Sequence, residues 1–313
     1  MGLTWRASPP SEEQAFGAMR AALAGGCNFW NGGEFYGPPQ NNSLTLLKKY
    51  YEKYPDDASK VVLSIKGCFG HDMTPDCSPE GVRKSVENSL AMLGGKGKID
   101  IFEPARKDPK VPLEQTLKAL AELVKEGKIG GVALSEVNAN TIREAARITK
   151  IAAVEIELSL WQTDPLTNGI TEACKELDIP IVAYSPIGSG ILTGQIKSFD
   201  DIPEHDFRKT SPRFQPENFE VNLQLVRALE KFATTKNCTP AQLAINWVQA
   251  LSNRPDMPVI IPIPGATSAE RVAENSRSVD LTKEELREID GILVRFEVVG
   301  SRTHPAIQHL ADG

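Results

Sequence analysis

The chain has 313 residues, with hydrophobic content of 41% and charged content of 24%, ordinary for a soluble globular protein and enough for one large α/β domain or two smaller ones. A formal charge of −6 excludes general affinity for nucleic acid or an anionic membrane, so any phosphate must be held by a local site. Cys27, Cys68, Cys77, Cys174 and Cys238 are scattered with no CxxC pair, which argues against a disulfide framework and for a reducing compartment; with no signal peptide and no spanning apolar run, the expected location is the cytoplasm.

In chain order, Ser11 opens the first helix as half of a capping box with Gln14, and Phe16, Met19 and Leu23 share one face. A short apolar strand at 27–30 breaks at Asn31-Gly32-Gly33. A helix at 44–53 and a strand at 60–66 follow. Ser78-Pro79 supplies an N-cap and a first-turn proline for a helix carried by Val82, Val86, Leu90 and Leu93. Next come a strand at 98–102 and a helix marked by Leu113, Leu117, Leu120 and Val124, ended by Gly127. The alternation continues with a strand at 129–134, a helix at 141–148, a strand at 151–156, a helix at 170–177 and a strand at 179–184. A polar, proline-bearing stretch at 188–219 interrupts it. Helices at 223–232 and 241–250 and a last strand at 259–261 complete the pattern.

Short, unalternating apolar strands separated by helices indicate a parallel sheet covered by helices. No GxGxxG follows any strand, so a Rossmann fold lacks its fingerprint. The pattern fits a single (β/α)8 TIM barrel over residues 1–313, with its chemistry at the strand C-terminal ends. Seven strands are readable. An eighth must come from Met1-Gly2-Leu3-Thr4-Trp5, so the first strand is expected to be truncated, leaving two open sheet edges.

Three stretches carry candidate chemistry. Tyr36 lies on a glycine-bordered loop just past the first apolar strand, and Lys66 ends the next one. A phenol so placed can deliver a proton if a cation lowers its pKa, and a buried ammonium is costly unless something is gained. Singly, a rim tyrosine and a snorkelling lysine are ordinary; on consecutive strands they point to a site. The second stretch runs from Pro262-Ile263-Pro264-Gly265 into a helix expected to be capped by Thr267, with Glu270 three later and Arg271 in its first turn. It suits a phosphate by geometry and dipole, against the plainer reading of a capped helix with a solvated arginine. The third, Ala183-Tyr184-Ser185-Pro186-Ile187-Gly188-Ser189-Gly190-Ile191-Leu192, pairs an aromatic face with a loop able to turn N–H groups to a pyrophosphate. Trp5, Trp30 and Trp161 follow strands and are expected to wall an aromatic pocket, whereas Trp247 reads as core. Cys68, His71 and Cys77 lack metal-ligand spacing, so no metal is expected, and His71, His205, His304 and His309 read as surface residues.

Together these stretches, with Val132-Ala133-Leu134-Ser135-Glu136 and the run from Ile261 to Asn275, resemble the aldo-keto reductases over nearly the whole chain. The resemblance implies a barrel binding NADPH in extended form without a metal, hydride passing to a carbonyl carbon while a tyrosine protonates its oxygen. It makes Tyr36 that acid and Lys66 the group lowering its pKa. It places Tyr184 on the nicotinamide, with Ser135, Glu136 and Glu155 around the carboxamide. Ser185, Pro186, Gly188, Gly190 and Leu192 fall along the pyrophosphate. Gly265, Thr267, Arg271, Glu274 and Asn275 fall at the adenosine end, with Arg271 favouring a 2′-phosphate.

Two positions depart from the family pattern. Asn31 stands where an aspartate is usual, and Ala105 where a histidine is usual. Asn31 is expected to hydrogen-bond Lys66 without neutralising it, so that Lys66 either depresses the Tyr36 pKa further or sheds its own proton. Ala105 removes a donor to the substrate and enlarges the pocket. With Glu34-Phe35-Tyr36-Gly37 and Ala105-Arg106-Lys107-Asp108-Pro109, these changes look like the pyridoxal-reductase branch. That branch implies a small aldehyde as partner, pyridoxal reduced to pyridoxine, and here a monomer. The alternatives are a reductase of another aromatic aldehyde, or a cofactor-binding regulatory protein like the family's potassium-channel β subunits.

Overall fold

The computed structural model describes residues 1–6, 8–204, 206–303, 308, 310, 311 and 313. Seven parallel strands pair in chain order: β1 (Phe29–Gly33), β2 (Val62–Gly67), β3 (Ile101–Pro104), β4 (Val132–Ser135), β5 (Ile151–Glu157), β6 (Ile181–Tyr184) and β7 (Ile260–Pro262). The helices are α1 (Glu12–Ala24), α2 (Ser43–Lys53), α3 (Pro79–Leu93), α4 (Leu113–Lys125), α5 (Ala139–Ile148), α6 (Ile170–Glu176), α7 (Pro216–Thr235), α8 (Pro240–Ala250), α9 (Ala269–Asn275) and α10 (Lys283–Arg295). Among the described residues β1 and β7 are the two ends of the curled sheet. Gln14 Nε2 donates to Thr267 O at 2.9 Å, tying α1 to the loop before α9 beside those ends.

Strand alternation divides the side chains between two faces. Trp30, Leu63, Ile65, Phe102, Leu134, Val154, Ile156, Ile181 and Ala183 face outward and join the helices in the main core. Phe29, Ile101, Ala133, Ala153, Val182 and Ile263 form a separate apolar cluster inside the curl. Small residues on β4, β5 and β6 fit an interior filled in layers. A register shift between Val132 and Ala133 sets Ala133 opposite Ala153 and Ser135 opposite Glu155.

Several expectations are corrected. Residues 1–5 are not a strand remnant: Thr4 and Trp5 donate their N–H groups to Met1 O at 3.1 and 2.8 Å, closing a turn at the barrel mouth. Within the polar stretch, α7 begins at Pro216, because proline at the first helical position starts a helix and does not break it. The third strand begins at Ile101 and runs to Pro104, later than expected. A helix absent from the expectation, α10, is capped by Thr282 and Glu285. The cap of α9 is Ser268, which accepts from Arg271 N at 3.4 Å, while Thr267 lies outside the helix. His205, His304 and His309 lie outside the described residues.

Candidate active site

Two residues beyond the inner apolar cluster, the same alternation turns a second set of side chains inward: Asn31 on β1, Glu103 on β3, Ser135 on β4, Glu155 on β5 and Tyr184 on β6, with Lys66 on β2. Lys66 Nζ lies 2.7 Å from Glu103 Oε1 and 2.6 Å from Glu155 Oε1. Asn31 Nδ2 donates to Glu155 Oε2 at 2.6 Å. Lys66 and Glu103 are opposite each other on adjacent β2 and β3, whereas the two contacts to Glu155 join β2 and β1 to β5, strands that are not neighbours in the sheet, and so cross the interior of the barrel.

This corrects the reading of Lys66 as unpaired and of Asn31 as its partner. Burial acts to lower the Lys66 pKa, but Glu103 and Glu155 outweigh it and hold the value above the ordinary one, so the ammonium stays charged. An asparagine suits position 31 because a carboxylate can only accept, and the amide supplies a donor. An aspartate there would set another carboxylate against Glu155. Glu103 was not legible as a site residue, because a strand ending at 102 leaves it in a loop. Its signal was a lone carboxylate in an apolar run, which a strand buried on both faces accommodates only when the charge is partnered.

Tyr36 sits in the turn after β1, where its carbonyl accepts from Thr4 Oγ1 at 2.7 Å and from Ser43 N at 3.1 Å. Gly33 allows this approach, since a Cβ there would stand 3.1 Å from the Tyr36 ring. The ring packs at 5.8 Å and 27° against Trp5, at 4.8 Å against Phe35, and in one buried cluster with Phe69, Ala105 and Leu310. Burial pushes the phenol up to about 12; Lys66 acts to lower it, while Glu155 and Glu103 add to the rise. The net shift is therefore opposite to the one expected, and the phenol holds its proton through the neutral range.

The remaining candidates divide. Trp5 and Ala105 line the phenol. Trp30 does not: being next to inward Asn31, it faces outward, donating to Cys27 O at 2.9 Å and packing 5.5 Å from Tyr50 of α2. Trp161 is core as well, packed on Phe214 at 6.0 Å. Glu136, adjacent to inward Ser135, takes a left-handed backbone with φ 55°. Its side chain accepts from Glu157 N at 3.1 Å and pairs with Arg302 at 2.7 Å, so it anchors the C-terminal segment instead of facing the inner ring.

A nicotinamide cofactor fits the residues present. Ser135 Oγ is buried without a hydrogen-bond partner, a deficit of about 1–3 kcal/mol that a carboxamide would remove. Ser185, Gly188, Ser189 and Gly190 all have positive φ, and a Cβ on Gly188 would meet Ile191 and Trp161 at 3.0 Å. Pro186 and Leu192 are buried beneath this loop. Arg208, which the sequence did not single out, donates Nη1 to Ser189 O at 2.9 Å and places a cation beside the loop. At the far end Arg271 pairs with Glu274 at 3.0 Å, with Gly265 exposed and Thr267 and Asn275 half-buried nearby.

The aldo/keto reductase family profile matches residues 1–294, and the chain belongs to that family. It is a nicotinamide-dependent oxidoreductase with the (β/α)8 barrel architecture of its relatives. A probable pyridoxal reductase 2 of Schizosaccharomyces pombe is 42% identical, covering 98% of this chain and 94% of that protein. A putative pyridoxal reductase of Saccharomyces cerevisiae is also 42% identical, covering 96% and 93%. Among solved structures, a glycerol dehydrogenase from Gluconobacter oxydans superposes with a TM-score of 0.82 at 24% identity, covering 96% of this chain and 90% of that one. Among the described residues no helix is long and apolar enough to cross a membrane.

Proposed function

We propose that the protein reduces pyridoxal to pyridoxine with NADPH. The observation that carries this reading is a protonated, buried Tyr36 beside a charged Lys66 in a barrel whose relatives of similar length are named pyridoxal reductases. NADPH supplies the hydride when bound. Ser135 and Tyr184 would hold its nicotinamide, the loop at 188–190 and Arg208 its pyrophosphate, and Arg271 its 2′-phosphate. Tyr36 holds the proton that a developing alkoxide needs, and Lys66 stabilises the phenolate left behind. Trp5, Phe35, Phe69, Ala105 and Leu310 surround the phenol with apolar surface, which suits a small aromatic aldehyde. The regulatory alternative drew on Asn31, Ala105 and the short first strand; of these, the lost charge at Asn31 is offset by Glu103 and Glu155, which supply Lys66 with counter-charges. We take the protein as a cytoplasmic monomer, in keeping with its free cysteines.

The test is pyridoxal-dependent oxidation of NADPH with pyridoxine identified as product, run beside NADH. Turnover with a preference for NADPH is expected. Normal NADPH binding with no turnover on pyridoxal would refute the substrate assignment.

A further inference from the structure

Glu103 and Glu155 reach Lys66 from β3 and β5, either side of β4. One ammonium neutralises one carboxylate, so two carboxylates on it would leave net negative charge in the barrel interior, which burial makes costly. The hydrogen bonds carry a second sign of the same imbalance. Both oxygens of Glu155 are used, by Lys66 and by Asn31. Glu103 Oε1 takes Lys66 at 2.7 Å and Ser64 Oγ at 3.4 Å, but Glu103 Oε2 is buried with no partner. The two carboxyl groups converge on the same Lys66 Nζ, at 2.7 and 2.6 Å, which holds them close together. A buried carboxylate oxygen without a donor is an orphan; with one proton added it becomes a donor able to serve a neighbouring carboxylate.

We propose that Glu103 and Glu155 hold one proton between them beside Lys66, and that this proton is a charge switch setting the acid strength of Tyr36. Glu103 is thus a positioning residue, acting on the phenol through the field of the cluster. With the proton in place the trio is neutral and Tyr36 is the stronger acid. When the Glu103 O–H ionises, the trio gains a negative charge that opposes formation of the phenolate. Burial and Glu155 push Glu103 up to about 8 against the pull of Lys66, which sets the pH at which the switch acts. The groups facing it are Ser64 and Lys66 from β2, Glu155 from β5 and Tyr36 from the turn after β1. Asn31 bears on it through Glu155, Arg106 just past β3 acts on Tyr36, and the Met1 amino group lies in the fields of Glu155 and Lys66.

The shared proton stands independently of any substrate; its effect on turnover rests on the reductase reading above. Infrared spectroscopy of the cofactor-free protein separates the two. Wild type is expected to show a protonated-carboxyl band at pH 7 that fades through about pH 8, and Glu103→Gln to lack it. Glu155→Gln should lack the same band, since a lone carboxylate would then pair with Lys66; circular dichroism checks the fold of each variant. A wild-type spectrum without such a band, or one indifferent to both substitutions, overturns the proposal. In turnover, wild-type kcat should fall by about threefold to tenfold across the same rise in pH, the size of half to one unit of acid strength. Glu103→Gln should remove that fall with KM little changed. An equal fall in Glu103→Gln overturns the role given to Tyr36, and an inert enzyme with the band intact refutes pyridoxal reduction while leaving the shared proton standing.

Discussion

The two ends of the proposed cofactor groove are built on different principles. At the reaction end, Lys66, Glu103 and Glu155 keep side-chain exposures of 5%, 1% and 3%, and each is fixed by the alternation of a strand. At the adenosine end, Arg271 is 46% exposed and its partner Glu274 lies three residues along the same short helix. Inside the barrel a charge cannot be removed without stranding its neighbours. On the rim a charge is screened by water and pairs weakly, so it is free to be used for selection instead of stability. Chemistry has been placed where geometry is hardest to disturb, and recognition of the cofactor's far end where disturbance costs least.

Substitutions at both ends sharpen this contrast. Lys66→Met strands two buried carboxyl groups with one negative charge between them; a stability loss of about 3–5 kcal/mol is expected in denaturant unfolding, together with loss of turnover. A loss comparable to that of a surface ion pair would break the distinction. Asn31→Asp, which restores the residue usual in the family, should be harmful here, costing about 1–3 kcal/mol at neutral pH by exchanging a donor to Glu155 for a third carboxylate. The new carboxyl would have a raised folded pKa, so the deficit is present above its folded pKa and vanishes as pH falls below the unfolded value near about 4. Thermal unfolding of the variant and wild type between pH 4 and 8 reads the difference. Arg271→Ala should weaken NADPH binding by about tenfold with NADH binding little changed, and shift stability by no more than about 0.5 kcal/mol.

The wild-type protein carries its own pH signature. Glu103 binds a proton in the folded state up to about pH 8 that it loses near 4.5 when unfolded. Stability from this group is therefore full below the unfolded value and declines as pH rises through the window up to about 8. Compared with Glu103→Gln, wild-type melting temperature should fall more steeply across that range.

The barrel was legible because parallel strands buried on both faces read as plain apolar runs, and Tyr36 and Lys66 stood out as polar groups at the ends of such runs. What escaped was set by alternation and by distance across the barrel. Once Asn31 is inward, Trp30 must be outward, a constraint that strand position alone does not express. A strand placed at 98–102 instead of Ile101–Pro104 hides the side of the sheet that Glu103 faces. The bond from Asn31 to Glu155 joins residues 124 apart in sequence, on β1 and β5, and no local pattern announces it. The helix α10 carried an ordinary capping box that lay beyond the last readable strand.

The most direct test of the account is Tyr36→Phe beside the wild type, with NADPH affinity followed by tryptophan fluorescence and turnover followed with pyridoxal. The variant removes one oxygen from a buried ring and leaves the Lys66 cluster intact. NADPH affinity should be unchanged and turnover should drop by about a hundredfold or more. A variant that keeps turnover within about tenfold of wild type would contradict the assignment of Tyr36 as the proton donor, and with it the role given to the charges arranged around it.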